Sequence, residues 1–151
     1  MKLKDFDFRI WSVKKEKYLD ELYSNIISLS SDKSIKGYNR HYKILAIEFS
    51  PYDSIPLMND NEECFEIELF TGFYDKNGKK IYEGDILYYF KDCSEGEVFK
   101  YQVLFKEGAF YLFESYDGFV DDEDLIAEFD LKELQVMGNI HENKELLNVR
   151  L

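Results

Sequence analysis

The sequence predicts a mainly β protein with little helix. Its C-terminal half reads as a small barrel and its N-terminal half as a separate β-rich region. Two observations carry this expectation. Apolar and polar residues alternate with period two in several segments, the pattern of half-buried strands. From residue 64 onward, short apolar runs are also separated by glycine-bearing turns, and five such runs fall within some 70 residues, which is the spacing of a barrel or sandwich.

The elements follow in order. Phe6, Phe8 and Ile10 alternate with Asp5, Asp7 and Arg9, so the chain opens with a strand. Trp11 and Ser12 lead into Lys14-Lys15-Glu16-Lys17, a solvated turn. Residues 17–30 admit both a helix and a strand: Leu19, Leu22, Tyr23, Ile26 and Ile27 fit a helical stripe, yet Ile27 and Leu29 alternate with serines. Tyr42 to Phe49 reads as a strand that Ser50-Pro51 ends, because proline donates no ladder bond. Residues 51–63 hold both prolines and the run Asn59-Asp60-Asn61-Glu62-Glu63, and are expected to form a loop. The domain boundary is placed here, dividing 1–63 from 64–151.

Beyond it, Phe65, Ile67 and Leu69 alternate with Glu66, Glu68 and Phe70. Phe73 to Tyr82 forms a tight hairpin, with Asn77-Gly78 supplying its positive φ. Glu83-Gly84-Asp85 makes a second sharp turn before a strand at Ile86–Phe90. Further strands are expected at 98–105, 109–114 and 134–137. Lys106-Glu107-Gly108 is a short hairpin loop between the first two of these. Glu142 to Leu147 suits one or two helical turns.

Composition narrows the function. Of 151 residues, 45% are hydrophobic and 33% charged, a globular balance that excludes disorder. No apolar run approaches the ~18 residues of a membrane span. The N-terminus lacks a signal-peptide core, so a cytoplasmic setting is expected. The net charge is -12, which argues against nucleic-acid binding. That charge is uneven: residues 1–80 carry 13 basic and 14 acidic side chains, whereas residues 81–151 carry 6 and 17. Cys64, Cys93, His41 and His141 are far apart, so no zinc spacing exists, and reduced thiols are expected in that compartment.

One stretch is specific. Leu69-Phe70-Thr71-Gly72-Phe73-Tyr74-Asp75-Lys76-Asn77-Gly78-Lys79-Lys80-Ile81-Tyr82-Glu83-Gly84-Asp85-Ile86 resembles the central signature of the YopX family, small proteins of phages and prophages of Gram-positive bacteria. Phe8-Arg9-Ile10-Trp11 resembles that family's N-terminal strand, and Val136-Met137-Gly138-Asn139-Ile140-His141-Glu142-Asn143-Lys144-Glu145-Leu146-Leu147 its closing segment. The family-motif residues here are Arg9, Trp11, Thr71, Gly72, Asp75, Asn77, Gly78, Ile81, Tyr82, Glu83, Gly84, Asp85, Gly138, Asn139, Glu142 and Asn143. His141 departs from the family's tyrosine and Lys144 from a proline, and residues 17–63 match only loosely. The resemblance implies an SH3-like barrel entered by the signature. It implies no activity, cofactor or catalytic residue.

The remaining constellations point the same way. The loop at Asp75 fails the calcium-loop pattern, because Lys79 and Lys80 stand at its fifth and sixth positions. Glu83-Gly84-Asp85 is explained by turn chemistry. Asp121-Asp122-Glu123-Asp124 is a candidate acidic surface, most simply a loop capping Leu125–Phe129. No nucleophile elbow is present. Interleaved aromatics from Tyr88 to Phe113 suit either cross-strand cover or an exposed binding surface.

The expectation is therefore a non-catalytic interaction or self-assembling protein, without cofactor or metal. Its partner would be a second copy or a host or phage protein. The alternatives are an acidic DNA mimic and, behind it, a metal-dependent nucleotide hydrolase using Asp85 and residues 121–124.

Overall fold

The computed structural model describes residues 2–18, 26–30, 44–50, 53–57, 65–90, 98–116 and 119–147. Cys64 and Cys93 lie outside them, as do 19–25 of the ambiguous N-terminal segment. The described residues are mostly β, with no helix of seven residues or more.

Among the described residues twelve strands follow in order: β1 Phe8–Ser12, β2 Lys17–Tyr18, β3 Ile26–Ser30, β4 Ile44–Ser50, β5 Asp53–Leu57, β6 Phe65–Tyr74, β7 Lys80–Tyr82, β8 Asp85–Phe90, β9 Val98–Lys106, β10 Ala109–Tyr116, β11 Phe119–Leu125 and β12 Leu134–Asn139. Single 3-10 turns occupy Leu3–Asp5, Ile126–Glu128 and Lys144–Leu147. The chain divides into two compact units, one of Met1–Arg9 with Glu68–Leu151, the other of Ile10–Ile67.

In the first unit, β8 to β12 form an antiparallel sheet in the order β11-β10-β9-β8-β12, which curls into a half-barrel. Hairpin pairing of neighbours sets three of its four joins, and β12 returns to pair with β8. Period-two alternation turns one side chain of each neighbouring pair inward. Leu87, Val103, Leu112, Leu134 and Val136 thereby meet Ile81 of β7 and Ile126 in one buried core. Each such aliphatic side chain contributes about 1.5–3 kcal/mol by leaving water.

In the second unit, β3, β4 and β5 form a three-stranded antiparallel sheet, while β2 pairs with β1, setting Trp11 opposite Tyr18.

The ambiguous segment is thus strand at 26–30, where alternation with serine won over the helical stripe. Two expectations are corrected. Residues 53–57, expected as loop, are strand β5, with Pro56 opposite Ala46. Among the described strands β5 ends its sheet, and an edge tolerates a proline that a central strand would not. The acidic run is likewise not a loop that caps a helix. It lies within β11, and the following 3-10 turn takes Leu125 as its cap, with no side-chain bond. Alternation was invisible there because four acids in succession erase the apolar period.

Candidate functional site

The three motif segments converge within the first unit. Strand β1 delivers Arg9 beside Glu68 of β6 and the turn between β7 and β8. Arg9 Nε donates to Glu68 Oε2 at 2.5 Å. Its Nη2 lies 2.7 Å from Asp85 Oδ1 and donates to the Glu83 carbonyl at 3.1 Å. The guanidinium carbon stands 4.9 Å from the centre of the Tyr82 ring. On the far side, Glu68 Oε1 lies 2.8 Å from His141 Nε2.

Both carboxylates are almost sealed from solvent, with Glu68 4% and Asp85 2% exposed at the side chain. Burial pushes the Asp85 carboxyl up, against the charge of Arg9 and the Tyr82 N–H, which pull it down. That N–H donates to Asp85 Oδ2 at 2.8 Å. The planar fork of arginine suits this position, since one guanidinium bonds two carboxylates and a carbonyl at once.

Gly84 lets the pieces meet. Its φ is +80°, and a Cβ there would stand 2.7 Å from Glu68 Oε1. Its N–H donates to Val103 O and its carbonyl accepts from Ile140 N–H, each at 2.9 Å, so the turn is tied to the core sheet and to the closing segment together.

A second centre is Asp75, itself buried. Its Oδ1 accepts from the N–H groups of Asn77 and Lys79 at 2.8 and 2.9 Å. Its Oδ2 accepts from Val136 N–H at 3.0 Å. Burial raises this carboxyl, but the three backbone donors outweigh burial and hold it below its ordinary value. Between β6 and β7 the chain makes a turn closed by Gly78 N–H to Asp75 O at 2.9 Å. Only Gly78 takes a positive φ there, while Asn77 does not. The loop is therefore an ordinary turn followed by a left-handed glycine, instead of one in which both central residues are left-handed.

A third centre closes the chain. Asn139 Oδ1 accepts from His141 and Glu142 N–H at 3.0 Å each, and its Nδ2 donates to Glu142 Oε2 at 2.9 Å. Asn139 N–H reaches Asn143 Oδ1 at 3.4 Å, and a Cβ on Gly138 would collide with that carboxamide. At the surface, Asp7 Oδ2 accepts from both Lys80 Nζ and Tyr82 Oη at 2.6 Å. Desolvation raises Asp7, and those bonds together bring it below its ordinary value. Burial and the Asp7 bond push Tyr82 well up.

The other motif residues also serve the scaffold. The Thr71 hydroxyl donates to Ile81 O at 2.8 Å, Ile81 is fully buried in the core, and Glu83 N–H donates to Leu69 O. Gly72 sits exposed where the β6–β7 register slips. Trp11 belongs to the other unit, where it is buried and packs edge-on against Tyr18 at 5.0 Å. Of the acidic run, Glu123 pairs with Lys106 and Asp124 is exposed. The side chains of Asp121 and Asp122 lie outside the described residues. Four members of these centres went unassigned in the sequence. Asp7 and Glu68 stand on the polar side of alternating strands, where they read as solvated, and no spacing links His141 or Lys80 to partners 73 residues away.

Among the described residues, no buried side-chain nitrogen or oxygen lacks a partner. Nor do the described residues include a group of three side chains able to hold a metal, and none of their helices is long and apolar enough to cross a membrane. The arrangement is a chain of saturated polar clamps that joins β1, the β6–β8 hairpins and the closing segment. It defines a small β protein whose signature residues hold its architecture.

The chain belongs to the YopX protein family, whose model matches residues 7–148. Among solved structures it is similar to a protein from Enterococcus faecalis, at 26% identity and a TM-score of 0.54, over 94% of this chain and 97% of that one. It is also similar to protein YopX from Bacillus subtilis, at 18% identity and a TM-score of 0.56, over 95% and 97% of the two chains. The second likeness concerns the fold alone. No curated protein resembles the chain closely enough to count as a match.

Proposed function

We propose that this is a non-catalytic interaction or self-assembling protein of phage or prophage origin, acting in the cytoplasm. One observation carries the reading: the buried polar side chains of the signature bond backbone groups or one another, while large aromatic side chains stand exposed on the strands. Tyr74, Phe90 and Phe105 are each more than 40% exposed on strands, and exposed aromatics favour binding to another surface.

The hydrolase reading loses support from topology. Asp85 begins β8 and the acidic run lies on β11, three strand spacings away in the sheet order, or roughly 14 Å measured along the sheet. The DNA-mimic reading gains nothing from β11 either, because successive strand residues point to opposite faces and Glu123 is already paired with Lys106.

The test is mass by light scattering over a wide concentration range, joined to affinity capture from a bacterial host with Tyr74→Ser and Phe90→Ser as controls. The reading predicts either a mass above the monomer or a captured protein, lost in those variants. A monomer at every concentration that captures nothing specific overturns it.

A further inference from the structure

Asn77-Gly78 is the one Asn-Gly pair in the chain, and both residues are exposed. Nothing lies within 4 Å of where a Gly78 Cβ would stand, so the outer face of the glycine is open. The Asn77 carboxamide has no hydrogen-bond partner among the described residues. The backbone here is tightly held. Asp75 takes the Asn77 and Lys79 N–H groups on its carboxylate and the Gly78 N–H on its carbonyl.

We propose that Asn77 is a site of spontaneous covalent modification, deamidation through a succinimide, and that Asp75 is the positioning residue that gates its rate.

The step balances with water as the only co-reactant. The Gly78 amide nitrogen gives up its proton to base and attacks Asn77 Cγ. The N–Cγ bond forms, the Cγ–Nδ2 bond breaks, and nitrogen leaves as ammonia after taking a proton. Water then opens the ring at either carbonyl, leaving aspartate or isoaspartate at position 77. In the native turn the attacking nitrogen is occupied, because its hydrogen points at Asp75 O. The reaction must wait for local opening, which costs the bonds Asp75 makes. The two products differ in consequence. Aspartate preserves the main chain. Isoaspartate routes it through the former side chain and adds a carbon to the turn, so Asp75 can no longer hold Asn77 and Lys79 in register. Because Asp75 Oδ2 also holds Val136 N–H, that change reaches β12.

The test incubates the full-length protein in mildly alkaline buffer, folded and in denaturant, and maps the mass gain and isoaspartate by peptide. The modification should fall on the peptide carrying Asn77 and proceed at least ~10-fold faster in denaturant, the ratio that one strong bond's worth of opening energy gives. In folded Asp75→Asn, the rate at Asn77 should rise by about 10-fold on the same ground. Val103→Ala, which weakens the core without touching the turn, should leave that rate unchanged. If Asp75→Asn does not fold, hydrogen exchange at Gly78 of the unaltered protein replaces it: its protection should equal the folded-to-denatured rate ratio within about threefold. Equal rates in the folded and denatured chain overturn the proposal. So does a folded Asp75→Asn with an unchanged rate, or acceleration by Val103→Ala as large as that by Asp75→Asn.

Discussion

Asp75 and Asp85 are both buried aspartates in sharp turns ten residues apart, and the fold treats them in opposite ways. Asp75 is met by three backbone N–H groups and held below its ordinary pKa. Asp85 is met chiefly by the Arg9 guanidinium and is pushed up by burial. The difference lies in how far each carboxylate's partners make up for the water it loses. Backbone N–H groups must be bonded in any fold, and three of them on the one carboxylate of Asp75 outweigh the effect of its burial. An arginine brings a second charge out of water, and the Coulomb gain barely offsets that. Asp75 therefore stabilises the turn, whereas Asp85 and Glu68 chiefly define which strands meet at Arg9.

The largest effect should come from breaking the charged centre on one side. Arg9→Ala leaves Glu68 and Asp85 buried without their shared cation, and should cost about 3–5 kcal/mol. Chemical denaturation measures it. A loss below about 1 kcal/mol would mean that water reaches both carboxylates freely.

Gly84→Ala tests the same centre from the backbone. It combines a left-handed φ, at about 1–2 kcal/mol, with displacement of the Glu68 carboxylate. We expect a loss of about 2–4 kcal/mol on adding the hydrogen bonds disturbed, measured by thermal and urea unfolding. Gly78→Ala has the φ term without the collision, and should cost visibly less.

Acid titration separates the two aspartates by sign. Asp75 has a lowered folded pKa, so its stabilisation is complete above the ordinary carboxyl value near ~4 and is lost as pH falls through the folded one. Asp85 has a raised folded pKa, so its ionised form is a burden that lightens as pH falls from the folded pKa toward ~4. Asp75→Asn should flatten the loss of stability in strong acid and Asp85→Asn should remove the relief above it. Urea midpoints measured across pH 2 to 7 decide, with each substitution read against the unaltered chain at the same pH. Asp75→Ala, which strands Val136 N–H, should cost about 1–3 kcal/mol near neutrality.

These centres differ in how far the sequence discloses them. The strands of the half-barrel are legible because each has one solvated face and a glycine-bearing turn beside it. Asp75 is nearly legible too, since Asp-x-Asn-Gly is a turn that an aspartate can cap locally, although its third bond, to Val136, comes from 61 residues away. Glu68 is not. On a strand that alternates Phe65, Ile67 and Leu69, period two marks Glu68 as belonging to the solvated face, and nothing local says that Arg9 and His141 will cover it. Strand β11 hides for a different reason, because solubility at a sheet edge favours acids on both faces and removes the alternation that would disclose it.

The smallest effect contrasts two hairpin loops whose residues are the reverse of what their backbones favour. Between β6 and β7, Asn77 has an ordinary negative φ and only Gly78 is left-handed. Between β9 and β10, Glu107 (φ 52°) and Gly108 (φ 79°) are both left-handed, the two-residue turn that favours Asn-Gly. A glutamate there places its Cβ against the following carbonyl, which asparagine tolerates better. Glu107→Asn should stabilise the fold by about 0.5–1 kcal/mol, raising the melting temperature by about 1–4 °C for a chain of this length. Asn77→Ala should change stability by less than about 0.5 kcal/mol, because that position asks nothing special of φ. If Asn77→Ala costs more than Glu107→Asn gains, the Asn77 side chain contributes to its turn through something other than backbone conformation.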